Sequence, residues 1–157
     1  MLAGLAWVVV GVMALVSMRP NPLVGASLVI ALVGTLLGLV GLDTRQANSY
    51  GELGGMGFVL AFAGGSVMLV SLVLVFLGLA IGSFGQFFGL LMLVMGLVLL
   101  GVATLRAGTL PRWCGVALIV AAAALLALVG YGGNIVFGLV WLGLGYVLWA
   151  GRGEVAQ

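Results

Sequence analysis

The sequence predicts an all-α fold: a polytopic transmembrane bundle of six helices with the N-terminus and C-terminus on the cytoplasmic side. Three observations carry this expectation. The 157 residues are 65% hydrophobic and only 5% charged, with a mean hydropathy of +1.46, a balance suited to lipid rather than water. The apolar residues fall in six runs with no polar face, as helices do in a membrane bundle. Short connections holding Pro, Gly and Arg separate the runs, so breakers and charges stand where a span must end. A single integral membrane domain over residues 1–157 follows.

The first predicted helix, 1–18, is interrupted only by Gly4, Gly11 and Ser17. It lacks the positive leader of a secretory signal, and Val16-Ser17-Met18 is a poor cleavage site, so it is read as retained. Arg19-Pro20-Asn21-Pro22 ends it, with Pro22 suited to the first turn of the next helix. That second helix, 22–42, carries Ser27, Ala31, Gly34, Gly38 and Gly41. Their alternating spacing draws one narrow seam of small residues, a packing surface for a close neighbour. A hydrophilic passage over 43–52 follows, and the third helix, 53–81, offers a second seam through Gly57, Ala61, Gly64, Ser71 and Gly78.

Gly82-Ser83-Phe84-Gly85-Gln86 reads as a tight turn before the fourth helix, 87–105. Pro111 is placed to start the fifth, 113–129, which is alanine-rich at Ala121 to Ala124. Gly130 to Asn134 turns the chain into the sixth helix, 135–150, and Arg152 and Glu154 lie in the tail. Six spans put Arg45, Arg106, Arg112 and Arg152 on one side and only Arg19 on the other. Arginine excess marks the cytoplasmic side, and Tyr50, Trp113 and Trp149 fall near that boundary, as interfacial aromatics do. Pro22 to Ile30 also echoes Pro111 to Val120 with one gap, each after an arginine. Echoes three helices apart would make the two halves an inverted repeat.

Composition removes several chemistries. All five basic residues are arginine, and there is no histidine. A lysine Schiff base is therefore excluded, as are imidazole ligands for haem, copper or zinc and the usual general base. No basic stripe is present to follow phosphates, so nucleic acid is not an expected partner. No catalytic, metal or cofactor-binding residue is expected. Arg45, Arg106 and Arg112, with Asp43 and Glu52, are candidate lipid-headgroup contacts, because guanidinium groups make paired hydrogen bonds to phosphate oxygens. Thr35, Ser66 and Ser71 can bond back to their own helices, and Gln86 and Asn134 are placed in turns.

Four G-x-x-x-G pairs, Gly34/Gly38, Gly51/Gly55, Gly78/Gly82 and Gly85/Gly89, suggest close helix packing within the bundle or between copies. The methionines read as adaptable packing, and the single cysteine, Cys114, as a small buried hydrophobe. The passage Leu105-Arg106-x-Gly108-x-Leu110-Pro111-Arg112-Trp113-x-Gly115 resembles an inter-helix turn shared by uncharacterised bacterial multi-pass membrane proteins, a likeness over about a third of the chain. Those proteins have no established activity; the resemblance implies a prokaryotic plasma membrane and carries over no functional residue.

The expected role is a non-catalytic accessory or scaffold subunit, or a binder of lipid or another apolar molecule. Expected partners are membrane lipids, with copies of itself or a larger membrane complex. The alternative is a channel or facilitator for a small neutral solute, acting as a homo-oligomer through its glycine seams. A lipid-active enzyme is the third class, with only three carboxylates to work with.

Overall fold

A computed structural model describes residues 1–16, 22–46, 49, 51–108, 110–128 and 132–150. Met18, the connection at 19–21, Tyr50, Arg152 and Glu154 lie outside the described residues. Six helices account for nearly all of the described chain: α1 (Leu2–Val16), α2 (Pro22–Gln46), α3 (Gly51–Phe76), α4 (Ile81–Ala107), α5 (Arg112–Ala127) and α6 (Gly133–Ala150). Four of them, α2, α3, α4 and α6, are long and apolar enough to cross a membrane, which makes this a membrane protein by length and composition. At 15 and 16 residues, α1 and α5 are also apolar but shorter.

The largest difference from the sequence expectation lies between α3 and α4. The chain turns at residues 77–80, not at 82–86, so Gly82, Gly85 and Gln86 belong to α4. Hydrogen bonding explains the position. Gly78 adopts a left-handed φ of +77°, its N–H donates to the Val75 carbonyl (2.9 Å), and the Leu79 N–H donates to the Leu74 carbonyl (3.0 Å). This is a Schellman closure, which satisfies the last carbonyls of α3 and favours glycine. Gly78 is accordingly a helix terminator and not part of the α3 seam. At the other end of α4, Gly108 (φ +65°) donates to the Thr104 carbonyl, stopping the helix ahead of Pro111. Elsewhere the ends move by a few residues; α2 continues to Gln46, and Asn134 lies inside α6.

The chain forms two compact units, 1–42 with 124–157 and 43–123. In the first, α1 packs along α6. Here a Cβ on Gly4 would lie 2.6 Å from both the Gly138 carbonyl oxygen and the Leu142 nitrogen, and a Cβ on Gly138 would lie 2.7 Å from the Gly4 carbonyl oxygen. Further along the same antiparallel pair, Gly145 abuts Met1 and Gly11 abuts Ile135. In the second unit α3 packs along α4, with the same reciprocal crossing at Gly64 and Gly89. Cβ atoms there would approach the facing carbonyl oxygens to 2.7 and 2.9 Å. Gly96 meets Ala61 and Gly82 meets Ser71 on that pair, and a third crossing, Gly101 against Gly115, seats α5 on α4. Backbones this close leave room only for glycine and alanine, and van der Waals contact replaces the hydrophobic drive that is missing in lipid.

Candidate functional site

The α2 seam is occupied by the protein's own helices. A Cβ on Gly34 would lie 2.6 Å from the Ala3 methyl, and one on Gly38 would strike the ring of Trp141. Ala31 is fully buried and Ser27 half-buried, while a Cβ built on Gly41 would have no atom within 4 Å. The seam thus receives α1 and α6 of the same unit. Against it lies an aromatic stack: Trp7 meets Phe137 edge-on with centroids 5.1 Å apart, and Phe137 meets Trp141 at 6.0 Å. All three rings are buried. The Trp7 indole N–H donates to Thr35 Oγ1 (2.8 Å), whose hydroxyl donates to the Ala31 carbonyl (2.8 Å). Sequence reasoning foresaw only the second of these bonds.

Among the α3 seam residues, Gly57, Ala61 and Gly64 all face α4, opposite Leu100, Gly96 and Leu93. Buried polarity in this unit centres on Gln46, which is fully buried. Its Oε1 accepts from the Thr104 hydroxyl (3.0 Å), which also lies 2.8 Å from the Leu100 carbonyl. Gln46 Nε2 and, in the first unit, Trp141 Nε1 are buried without an acceptor. Among the described residues these two donors are the costly polar atoms, since an unmade buried bond forfeits the hydration of the group.

The three candidate headgroup arginines are all exposed: Arg45 in the last turn of α2, Arg106 in the last turn of α4, and Arg112 at the start of α5. Arginine in a last turn also complements the negative end of a helix. The structure gives these guanidinium groups no shared partner among the described residues. Trp113 and Trp149 are exposed, and Cys114 is fully buried. No group of three or more metal-ligating His, Cys, Asp or Glu residues occurs among the described residues.

Two cavities stand out. One, of about 440 Å³, lies in the first unit where Gly38 and Gly41 face Trp141 and Gly145. The second, of about 660 Å³, is an open groove on the α3–α4 pair. It is lined by Glu52, Gly55, Met56, Val59, Leu60, Ala63, Met92 and Leu99. Apart from Glu52 every lining residue is apolar. The α3 positions recur at alternating intervals of three and one, which keeps them on one helix face. In a helix apolar on every side that periodicity does not show in the sequence, and the groove was not foreseen.

No family model, curated protein or solved structure matches the chain.

Proposed function

We propose that the chain is a non-catalytic integral membrane protein that holds a lipid or another apolar molecule, serving as an accessory or scaffold subunit. The observation that carries this reading is the α3–α4 groove. Its volume of about 660 Å³ falls in the usual range for small-molecule sites, roughly 300–1,000 Å³. Its walls offer dispersion contact but almost no hydrogen bonding, so an apolar occupant suits them.

In this reading all six helices cross a prokaryotic plasma membrane, with both termini on the cytoplasmic side together with Arg45, Arg106 and Arg112. The short α1 is supported as a span by its packing along α6, from Met1 beside Gly145 to Gly11 beside Ile135. Both short helices would be met by local thinning of the bilayer. Self-association through the α2 seam loses support, because Ala3 and Trp141 already fill it. The homo-oligomeric channel reading drew on that seam and is correspondingly weaker.

Native mass spectrometry of protein extracted gently from its own membrane tests the proposal. A stoichiometric lipid, pigment or protein partner is the expected result. A bare homo-oligomer that conducts a small neutral solute in liposomes would overturn it.

A further inference from the structure

The α3–α4 groove has a direction. Glu52, in the first turn of α3, is its single charged residue, and the lining then runs along α3 to Ala63. Eleven residues of α-helix at 1.5 Å each span about 16 Å, roughly half of a ~30 Å hydrocarbon core. The groove is therefore about one leaflet deep, with a carboxylate at its outer end and apolar wall below. Glu52 is exposed and forms no ion pair among the described residues. The positive end of α3 accounts for an acidic residue in its first turn, but not for its position at the mouth of an apolar trough. Met56 and Met92 contribute flexible, polarizable wall that can follow the shape of a chain.

From this charge complementarity we infer that the groove seats one acyl chain of a phosphatidylethanolamine, whose primary ammonium sits against the Glu52 carboxylate. The inference rests on the lipid-binding reading above and adds to it the headgroup. A lipid lying in the trough has its headgroup at the level of the first turn of α3. There a carboxylate repels a purely anionic headgroup and accepts charge-assisted hydrogen bonds from a primary ammonium. A choline headgroup carries the charge but no N–H to donate.

The test uses the full chain in nanodiscs of equimolar phosphatidylethanolamine, phosphatidylcholine and phosphatidylglycerol, with retained lipid identified by native mass spectrometry. Phosphatidylethanolamine is expected to be retained over phosphatidylglycerol by about five- to tenfold, the scale of one charge interaction at a membrane surface. Glu52→Gln should reduce that preference to less than about twofold, well under one such interaction, while leaving the number of bound lipids unchanged. Ala63→Phe, which fills the trough without touching Glu52, should lose the bound lipid altogether. Retention of lipid with no headgroup preference, or with a preference that survives Glu52→Gln, overturns the inference and leaves the groove reading standing. Lipid that survives Ala63→Phe, or no retained lipid at all, overturns both.

Discussion

Gly64 and Gly55 stand nine residues apart on α3 and make opposite demands on an added methyl group. At Gly55 no atom lies within 4 Å of the new Cβ. Gly55→Ala should therefore only recover the helix propensity that glycine forgoes, a stabilisation of roughly 0.5–1 kcal/mol. At Gly64 the same methyl would lie 2.7 Å from the Gly89 carbonyl oxygen and 2.9 Å from Leu93 Cα. Both are backbone atoms, so no rotamer change relieves the clash and α3 and α4 must move apart. Overpacking of that kind costs about 1–3 kcal/mol. Because the propensity gain is common to the two variants, it cancels in the comparison. Gly64→Ala is thus expected to be less stable than Gly55→Ala by about 1–3 kcal/mol. Unfolding in mixed micelles, titrated with a denaturing detergent and followed by circular dichroism, measures both. Gly89→Ala should reproduce the loss, and the double variant Gly64→Ala/Gly89→Ala should cost less than the sum, because one separation of the helices relieves both clashes. Equal stability of Gly64→Ala and Gly55→Ala would refute the claim that backbone contact holds this pair.

Three further outcomes follow from the same geometry. Gly38→Leu, whose side chain would run into Trp141, should lower the stability of the monomer by more than about 1–3 kcal/mol without a change of oligomeric state; thermal unfolding and light scattering check the two halves of that statement. Thr35→Val keeps the shape of residue 35 but strands the Trp7 indole N–H, so a loss of about 1–3 kcal/mol is expected in the same unfolding assay. Thr104→Val should likewise destabilise by leaving the Gln46 side-chain amide unpartnered, whereas Thr104→Val combined with Gln46→Leu should recover to within about 1 kcal/mol of the native protein, since it removes both members of the buried pair.

The existence and order of the helices were legible because each apolar run is bounded by residues that physically end helices, such as the prolines at 22 and 111 and Gly108. The α3–α4 boundary was not. The stretch Gly82 to Gln86 has the composition of a turn, yet Gly82 lies at seven-residue intervals with Gly89 and Gly96, and inside α4 the three meet Ser71, Gly64 and Ala61 in turn. Gly78, one member of an apparent heptad, instead takes the left-handed conformation that ends α3. Small-residue spacing alone thus cannot say whether a glycine packs, terminates or faces open space, as Gly55 does. A facing helix decides, and the sequence of one helix does not contain it.

The groove was hidden for a related reason. In a soluble helix an apolar stripe stands out against polar neighbours, whereas in α3 both the face toward α4 and the face of the trough are apolar. What separates them is the approach of α4, which comes to backbone contact on one face and not on the other. Gly57, Ala61 and Gly64 let α4 approach to backbone contact, while Met56, Val59, Leu60 and Ala63 line the trough beside it. The alternation 56, 57, 59–61, 63, 64 therefore encodes two adjoining faces on one helix, a tight one for the chain's own partner and a looser one open to an apolar guest. The paired crossings sharpen the point. Gly4 and Gly138 in one unit repeat the reciprocal contact of Gly64 and Gly89 in the other, and exchanging helices 1, 2 and 3 with 4, 5 and 6 carries the α1–α6 pair onto α4–α3. That permutation is the one implied by the Pro22 and Pro111 echo. The tight face recurs in both units; the α3–α4 trough carries a carboxylate at its mouth and the cavity of the first unit has none in its lining, so these two sites differ in chemistry rather than in packing.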